Sequence, residues 1–127
     1  MKYKITFDES ARVLVVKTSG AMTGADFIKM AEDLLKHPEC ASGGNVIFDH
    51  SDLDFSGVSV EELEVIRRFH QKNENRIGDG KSAMVVKPGF LQKWHELWGQ
   101  GQKIKTKNKV TVFENFSNAA SWVQTEE

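Results

Sequence analysis

The chain has 127 residues, 39% of them hydrophobic, and 17 Lys and Arg residues against 18 Asp and Glu residues leave a formal net charge of −1. This length supplies one compact core, so residues 1–127 are expected to form a single domain. A net charge near zero excludes an overall positive field that would attract nucleic acid or anionic lipid. No apolar run is long enough for an integral membrane span, and the one cysteine, Cys40, cannot form an internal disulfide, so a cytoplasmic location is expected.

The first half of the sequence predicts a β-hairpin, a helix and a third strand. A strand is predicted where Tyr3, Ile5 and Phe7 alternate with polar residues, and a second over the apolar run 13–16. The short polar turn between them favours an antiparallel hairpin, and Gly20 is expected to end the second strand. Thr23 is expected to begin a helix. Its apolar stripe consists of Phe27, Met30, Ala31, Leu34 and Leu35, and it is followed by a short strand, 46–48, ending in Asp49.

The second half predicts three more helices alternating with two strands. Ser59 and Glu62 form a capping box for a helix with Leu63, Ile66, Phe69 and His70 on its buried side. Strands are expected over 83–86 and 110–113. Pro88 and Gly89 open a third helix, and Ser117 is expected to cap a last one. The third helix carries Phe90, Trp94, Leu97 and Trp98 on one stripe, and the last buries Ala119, Trp122 and Val123.

The predicted element order is ββαβαβαβα. Alternation of strands with amphipathic helices implies right-handed crossovers and a largely parallel sheet, with the first strand antiparallel at its margin. The expected fold class is therefore α/β, with a five-stranded, mixed and mostly parallel sheet and four helices.

The ordered set of elements resembles a known family. Phe48-Asp49, followed by 53–57 and a helix, is similar to the strand–loop–helix centre of STAS domains. The closer likeness is to the SpoIIAA-like group of small bacterial proteins related to STAS and Sec14 domains, over about residues 3–123. Ala119 and Trp122 hold the spacing of the last helix of that group. The resemblance implies a β–α superhelix that is often dimeric, with no established activity.

One departure concerns phosphorylation. Anti-sigma-factor antagonists of the STAS family carry a serine that a partner kinase phosphorylates, and Phe55 occupies the matching position here. Ser56 matches the following serine of the motif, and Ser59 is already expected to cap a helix. A phosphoserine-regulated switch at Ser56 or Ser59 is therefore kept only as a weak alternative.

Two short segments resemble parts of catalytic or nucleotide-binding motifs, but the residues around them do not complete either motif. Residues 78–82 contain Gly-Lys-Ser, but Asn75 occupies the place of the first glycine of a phosphate-binding loop. That segment also runs from helix to strand, so an ordinary turn is predicted. His50, Ser51 and Asp52 are adjacent, whereas the members of a catalytic triad converge from distant segments. No catalytic residue is assigned.

The four histidines are not spaced as the ligands of a metal ion would be. Neither a metal nor a cofactor is therefore predicted, and a hydrogen-bonded core position is expected for His70.

Two regions remain as candidate ligand sites. Ligands of open parallel sheets bind outside the carboxyl ends of the strands. Those ends are expected to carry Asp49 as an acceptor, His50, and Lys87 as an anion partner. Trp94 and Trp98 are either core residues, which is the simpler interpretation, or part of an apolar pocket or subunit contact. The alternating lysines 103–109 are interpreted as protection of a sheet edge rather than a nucleic-acid stripe.

These observations lead to three functional hypotheses. The first is a non-enzymatic STAS-like module that binds a protein partner or a small apolar ligand, with a homodimer compatible with it. The second is an enzyme of unknown reaction that uses the Asp49–His50 edge. The third is the phosphoserine switch.

Overall fold

The computed structural model describes residues 1–41, 43–93 and 109–125. Within these ranges the chain forms five strands and four helices, and residues 91–93 are also helical. The predicted Trp94–Trp98 stripe and the lysines 103–107 lie outside the described residues. The elements are β1 (Lys2–Asp8), β2 (Val13–Ala21), α1 (Gly24–Leu35), β3 (Val46–Asp54), α2 (Val60–Lys72), α3 (Glu74–Ile77), β4 (Lys81–Val85), β5 (Lys109–Phe113) and α4 (Phe116–Val123).

The five strands form one mixed sheet in the order β1-β2-β3-β4-β5. β1 pairs antiparallel with β2, and the remaining neighbours pair in parallel. The α/β class, the hairpin at the margin and the mostly parallel sheet are thus confirmed. We call the edge where the parallel strands begin the amino edge, and the opposite edge, where they end, the carboxyl edge.

Helices cover the two faces of the sheet unequally. On one face, which we call the α1/α2 face, the two long helices pack on the sheet through large side chains such as Phe27, Met30 and Phe48. On the other, the α4 face, a smaller cluster joins Ile47 and Ala83 to Ala119 of α4. Among the described residues, none of the helices combines the length and the apolar character needed to cross a membrane.

The helix starts follow the capping chemistry of the sequence, with one exception. The Thr23 hydroxyl accepts a hydrogen bond from the Asp26 backbone N–H, and Ser59 and Glu62 form the complete reciprocal box. The prediction of Ser117 as a cap was wrong. Asn115 caps α4 instead, because its side chain accepts from the Asn118 N–H one turn into the helix.

Two strand ends were also predicted wrongly. β2 does not stop at Gly20, which adopts a positive φ of 82° and remains within the strand. β3 does not stop at Asp49 but continues to Asp54, and Ala21 pairs with Asp54 across a register shift near Lys17. The irregular register lets both strands extend through polar residues that do not alternate with apolar ones in the sequence.

Candidate functional site: a pocket at the amino edge

An apolar pocket of about 330 Å³ lies between the α1/α2 face of the sheet and the helices that cover it. It is located at the amino edge, because Val46, Ser82 and Val110 line it near the starts of their strands. The last turns of α1 and α2 contribute Leu35 and His70. Its other apolar lining residues are Phe7, Leu14, Phe27, Met30, Ala31, Leu34, Cys40, Ala41, Phe48, Ile66, Phe69, Ile77 and Met84.

Two of the polar side chains of the lining, Arg67 and Asn45, already have partners. Arg67 binds Glu64 at 2.7 Å. The Asn45 side chain donates to the Val123 carbonyl at 2.9 Å and accepts from the Lys81 N–H at 3.0 Å. Arg12 is exposed in the β1–β2 turn, with a positive φ of 53°. The wall of the pocket is consequently apolar, with charge confined to paired or solvent-exposed groups.

His70 differs from these residues. It lines the pocket, and its Nε2 atom is buried with no hydrogen-bond partner in the part of the chain that the structure describes. Burial lowers the pKa of His70, and the opposing influence of Glu74 does not reverse the shift. At neutral pH the ring is therefore uncharged. The expectation of a hydrogen-bonded core histidine was wrong for Nε2, because the described residues that enclose this atom offer it no hydrogen-bond partner.

His50 is part of the core under α1, not of an open strand end. It is 1% exposed, and its Nδ1 lies 2.7 Å from the Thr18 hydroxyl. Its ring lies 6.1 Å from Phe27 and 5.6 Å from Phe48 between centroids. Burial lowers the pKa of His50 to about 4, which keeps the imidazole neutral at physiological pH.

Asp49 lies on the α4 face, opposite His50, because consecutive strand residues point to opposite sides of the sheet. It binds Lys17 at 3.3 Å and accepts from the Ser51 hydroxyl at 2.6 Å. Burial opposes its ionisation, but these hydrogen bonds and the lysine outweigh burial and lower the pKa of Asp49. The structure therefore does not bring Asp49 and His50 together. Their alternation within a longer β3 would have indicated this.

The carboxyl edge holds a second, polar cleft of about 290 Å³, which includes Lys87. Asp54 and Lys93 line it with Ser56, whose hydroxyl donates to Asp54 at 2.7 Å. This hydrogen bond is the main reason that the pKa of Asp54 is lowered, with further contributions from Lys87 and Lys93. Ser59 is occupied as the cap of α2. The roles predicted for Lys87, Ser56 and Ser59 stay predictions, as do those of Trp94 and Trp98.

Residues 78–80 form a turn between α3 and β4, as predicted, whereas Lys81 and Ser82 already belong to β4. A Cβ atom on Gly80 would overlap the carbonyl oxygens of Gly43 and Gly44, so glycine is needed for close approach of two loops. Lys81 is 6% exposed, and its ammonium group donates to the carbonyls of Trp122 and Thr125 at 3.0 and 2.9 Å. Sequence reasoning missed this contact with the end of α4, for which no local signal exists.

Solved structures with this arrangement of elements are similar over nearly the whole chain. An uncharacterized protein from the DUF3478 family, with a SpoIIAA-like fold, from Shewanella loihica PV-4 matches with a TM-score of 0.60. The match covers 96% of this chain and 92% of that protein at 19% identity. The chain has a SpoIIAA-like fold.

A second protein extends this comparison. An anti-sigma factor antagonist from Mycobacterium paratuberculosis matches with a TM-score of 0.60 and 14% identity, covering 98% of this chain and 94% of that one. No protein-family model matches the sequence, and no curated protein matches it. At these identities the likeness shows the SpoIIAA-like fold alone, so the function has to be argued from the site.

Proposed function

We propose that this chain is a non-enzymatic STAS-like module that binds a small apolar ligand in the amino-edge pocket. The single observation that carries the proposal is the pocket of about 330 Å³ under α1 and α2. Protein interiors rarely leave voids larger than a water molecule, because close packing maximises dispersion contacts. A partly open, mainly apolar space of this size beside the main hydrophobic core of a small domain is best explained by a molecule that fills it.

The size and chemistry of the pocket support a ligand rather than bulk water. Ligand pockets are typically about 300–1,000 Å³ and are mainly apolar with a few polar groups. An apolar cavity of about 150 Å³ already admits benzene. By the same proportion this pocket accommodates roughly a dozen non-hydrogen atoms.

A protein partner is the second candidate, and the similar fold of the Mycobacterium paratuberculosis anti-sigma factor antagonist favours it. Homodimer formation and a cytoplasmic location belong to the same proposal and stay predictions. The separation of Asp49 and His50 on opposite faces gives the enzyme hypothesis no support. The phosphoserine hypothesis is weakened because Ser56 already binds Asp54 and Ser59 caps α2.

The experiment compares native and denatured mass spectra of the protein purified gently from its own host. A bound ligand adds mass that is lost on denaturation. Ala31→Phe places an aromatic ring into the pocket wall and is expected to abolish the added mass by competing for the space. Ala25→Phe is the matched control, because it adds the same ring to an exposed position of α1.

The two variants separate the hypotheses. Loss of the added mass in Ala31→Phe but not in Ala25→Phe, with unchanged circular dichroism, supports a ligand in the pocket. Added mass that persists in Ala31→Phe would place the ligand elsewhere and contradict the proposal. A protein that carries no added mass and binds no apolar probe favours the protein partner, while mass retained on denaturation indicates covalent modification.

A further inference from the structure

We propose that the pocket selects an uncharged amphiphile of medium length, whose hydroxyl or carbonyl oxygen is placed against His70 while its apolar body fills the space under α1 and α2. This inference rests on the proposed function and specifies its ligand class. It follows from three features of the described residues: the direction of the helices, the pairing of the charged groups, and the unpartnered nitrogen of His70.

The helices that border the pocket point their C-terminal ends towards it. Leu34 and Leu35 belong to the last turn of α1, and Phe69 and His70 to the last turns of α2. The C-terminal end of a helix carries partial negative charge, which repels an anion. A carboxylate or phosphate headgroup is therefore disfavoured at this end of the pocket.

No buried, unpaired cation of the described lining compensates for that effect. Arg67 is 11% exposed and already binds Glu64, and Arg12 is exposed to solvent. Burying an anion away from water without a paired cation is strongly unfavourable. An uncharged ligand avoids both the desolvation of a charge and the repulsion by the helix ends.

His70 supplies the polar contact that fixes the orientation of such a ligand. Its Nε2 atom is buried and has no partner among the described residues. A buried polar atom without a hydrogen bond is unfavourable, so an oxygen that bonds to it gains affinity. A neutral imidazole nitrogen either donates or accepts, and a hydroxyl group satisfies it in either case. Since Nε2 is enclosed in this structure, the contact requires the ring to turn about its Cβ–Cγ bond when the oxygen binds.

The test measures binding of 1-decanol and decanoate to the full chain by isothermal titration calorimetry. These probes share a carbon chain of suitable size and differ in the charge of the head. We expect 1-decanol to bind at least about tenfold more tightly than decanoate, since the carboxylate has to be desolvated beside helix C-terminal ends. The methyl resonances of Leu34 and Met84, which line the pocket, report whether a probe occupies it.

Variants of His70 test the polar contact. His70→Leu is expected to weaken 1-decanol binding roughly three- to tenfold, the value of one hydrogen bond, and to leave decanoate binding unchanged. His70→Gln keeps a donor and an acceptor and is expected to retain more affinity than His70→Leu. Gln71→Leu, at the next and exposed position of α2, is the matched control and should bind within about twofold of the unchanged chain.

The outcomes separate this inference from the proposed function. If neither probe shifts the Leu34 and Met84 methyl resonances, apolar ligand binding in this pocket is itself overturned. If 1-decanol shifts them but decanoate binds equally well, or His70→Leu binds 1-decanol unchanged, only the ligand class is overturned. A ring nitrogen of His70 whose NMR signal does not respond to bound 1-decanol would show that water satisfies it, which also overturns the inference. That measurement does not depend on any variant folding.

Discussion

The two faces of the sheet differ in how their helices end at the amino edge. On the α4 face, the Lys81 ammonium group and the Asn45 amide donate to carbonyls at the end of α4. On the α1/α2 face, the ends of both long helices border a pocket of about 330 Å³, whose lining includes His70 and the buried Ser82. A cation stabilises the negative end of a helix, so the Lys81 ammonium group stabilises the C-terminal end of α4 where it packs on the sheet. On the α1/α2 face, backbone N–H groups of the following residues cap the helix ends, and the pocket remains beside them.

The two faces of the sheet also differ in the size of the side chains between helix and strands. Ala83 and Ala119 are fully buried on the α4 face, and two small residues allow a helix to approach the sheet closely. On the α1/α2 face, by contrast, the side chains that line the pocket between helices and strands include the large Phe27, Met30 and Phe48. The comparison teaches that the same sheet edge is closed by side-chain hydrogen bonds on one side and borders a pocket on the other.

The largest expected effect concerns Lys81. Lys81→Met removes the ammonium group and leaves the Trp122 and Thr125 carbonyls without this donor. We expect the free energy of unfolding to fall by about 2–3 kcal/mol, in the range of buried hydrogen bonds to charged groups, as measured by urea denaturation.

The control is Lys109→Met on the neighbouring strand. Lys109 pairs with Lys81 in the sheet but is exposed, so its substitution should change the free energy of unfolding by less than about 0.5 kcal/mol. If the two variants have the same free energy of unfolding, the Lys81 ammonium group does not stabilise the end of α4.

Acid should act on the α1/α2 face through His50. Its pKa is about 4 in the folded protein and near 6.5 when the chain is unfolded, so both states are neutral above pH 6.5. Between pH 6.5 and 4 only the unfolded chain binds the proton, and stability falls as the pH falls. From pH 7 to 5 the expected loss is about 2 kcal/mol by proton linkage, measured by urea denaturation at both values.

His50→Phe isolates this contribution. The variant keeps an aromatic ring beside Phe27 and Phe48 and is expected to lose most of the pH dependence between 7 and 5. The lowered pKa of His70 acts in the same direction, so a smaller slope persists. A slope identical to that of the unchanged chain would be evidence against a neutral, buried His50.

A smaller effect is expected at Asn45, which lines the pocket and contacts the end of α4 on the other face. Asn45→Ala removes its hydrogen bonds to Val123 and Lys81 and should lower the free energy of unfolding by about 1 kcal/mol. Asn118→Ala, on the exposed side of α4, should change it by less than about 0.5 kcal/mol. Chemical denaturation of both variants measures this difference. If Asn45→Ala does not change the free energy of unfolding, the hydrogen bonds of Asn45 do not couple the stability of the two faces.

Much of the fold could be predicted from local pattern. The hairpin of β1 and β2, the helices begun by Thr23 and Ser59, and the parallel order of the later strands all follow from periodicity and capping chemistry. The extension of β3 to Asp54 could not, because its outer half is polar and pairs through an irregular register. The cap at Asn115 was missed because Ser117 offers an equivalent signal two residues later.

The sequence predicted a ligand site at the carboxyl edge, which stays a prediction, whereas the pocket that carries the proposed function lies at the amino edge. The general rule for parallel sheets directs attention to the carboxyl edge and Lys87, where the structure has a polar cleft. The apolar pocket lies at the amino edge, and its lining residues read as ordinary core positions in the sequence: Leu34 and Phe69 show helical periodicity whether they face a wall or a space.

The sequence by itself determined the class of fold, because backbone propensity, apolar periodicity and helix capping act over neighbouring residues. Only the tertiary structure decided that Lys81 closes the end of α4 and that His70 borders a pocket. These facts depend on how closely distant segments approach one another. That separation is set by the packing of whole side chains between sheet and helices, which no local pattern encodes.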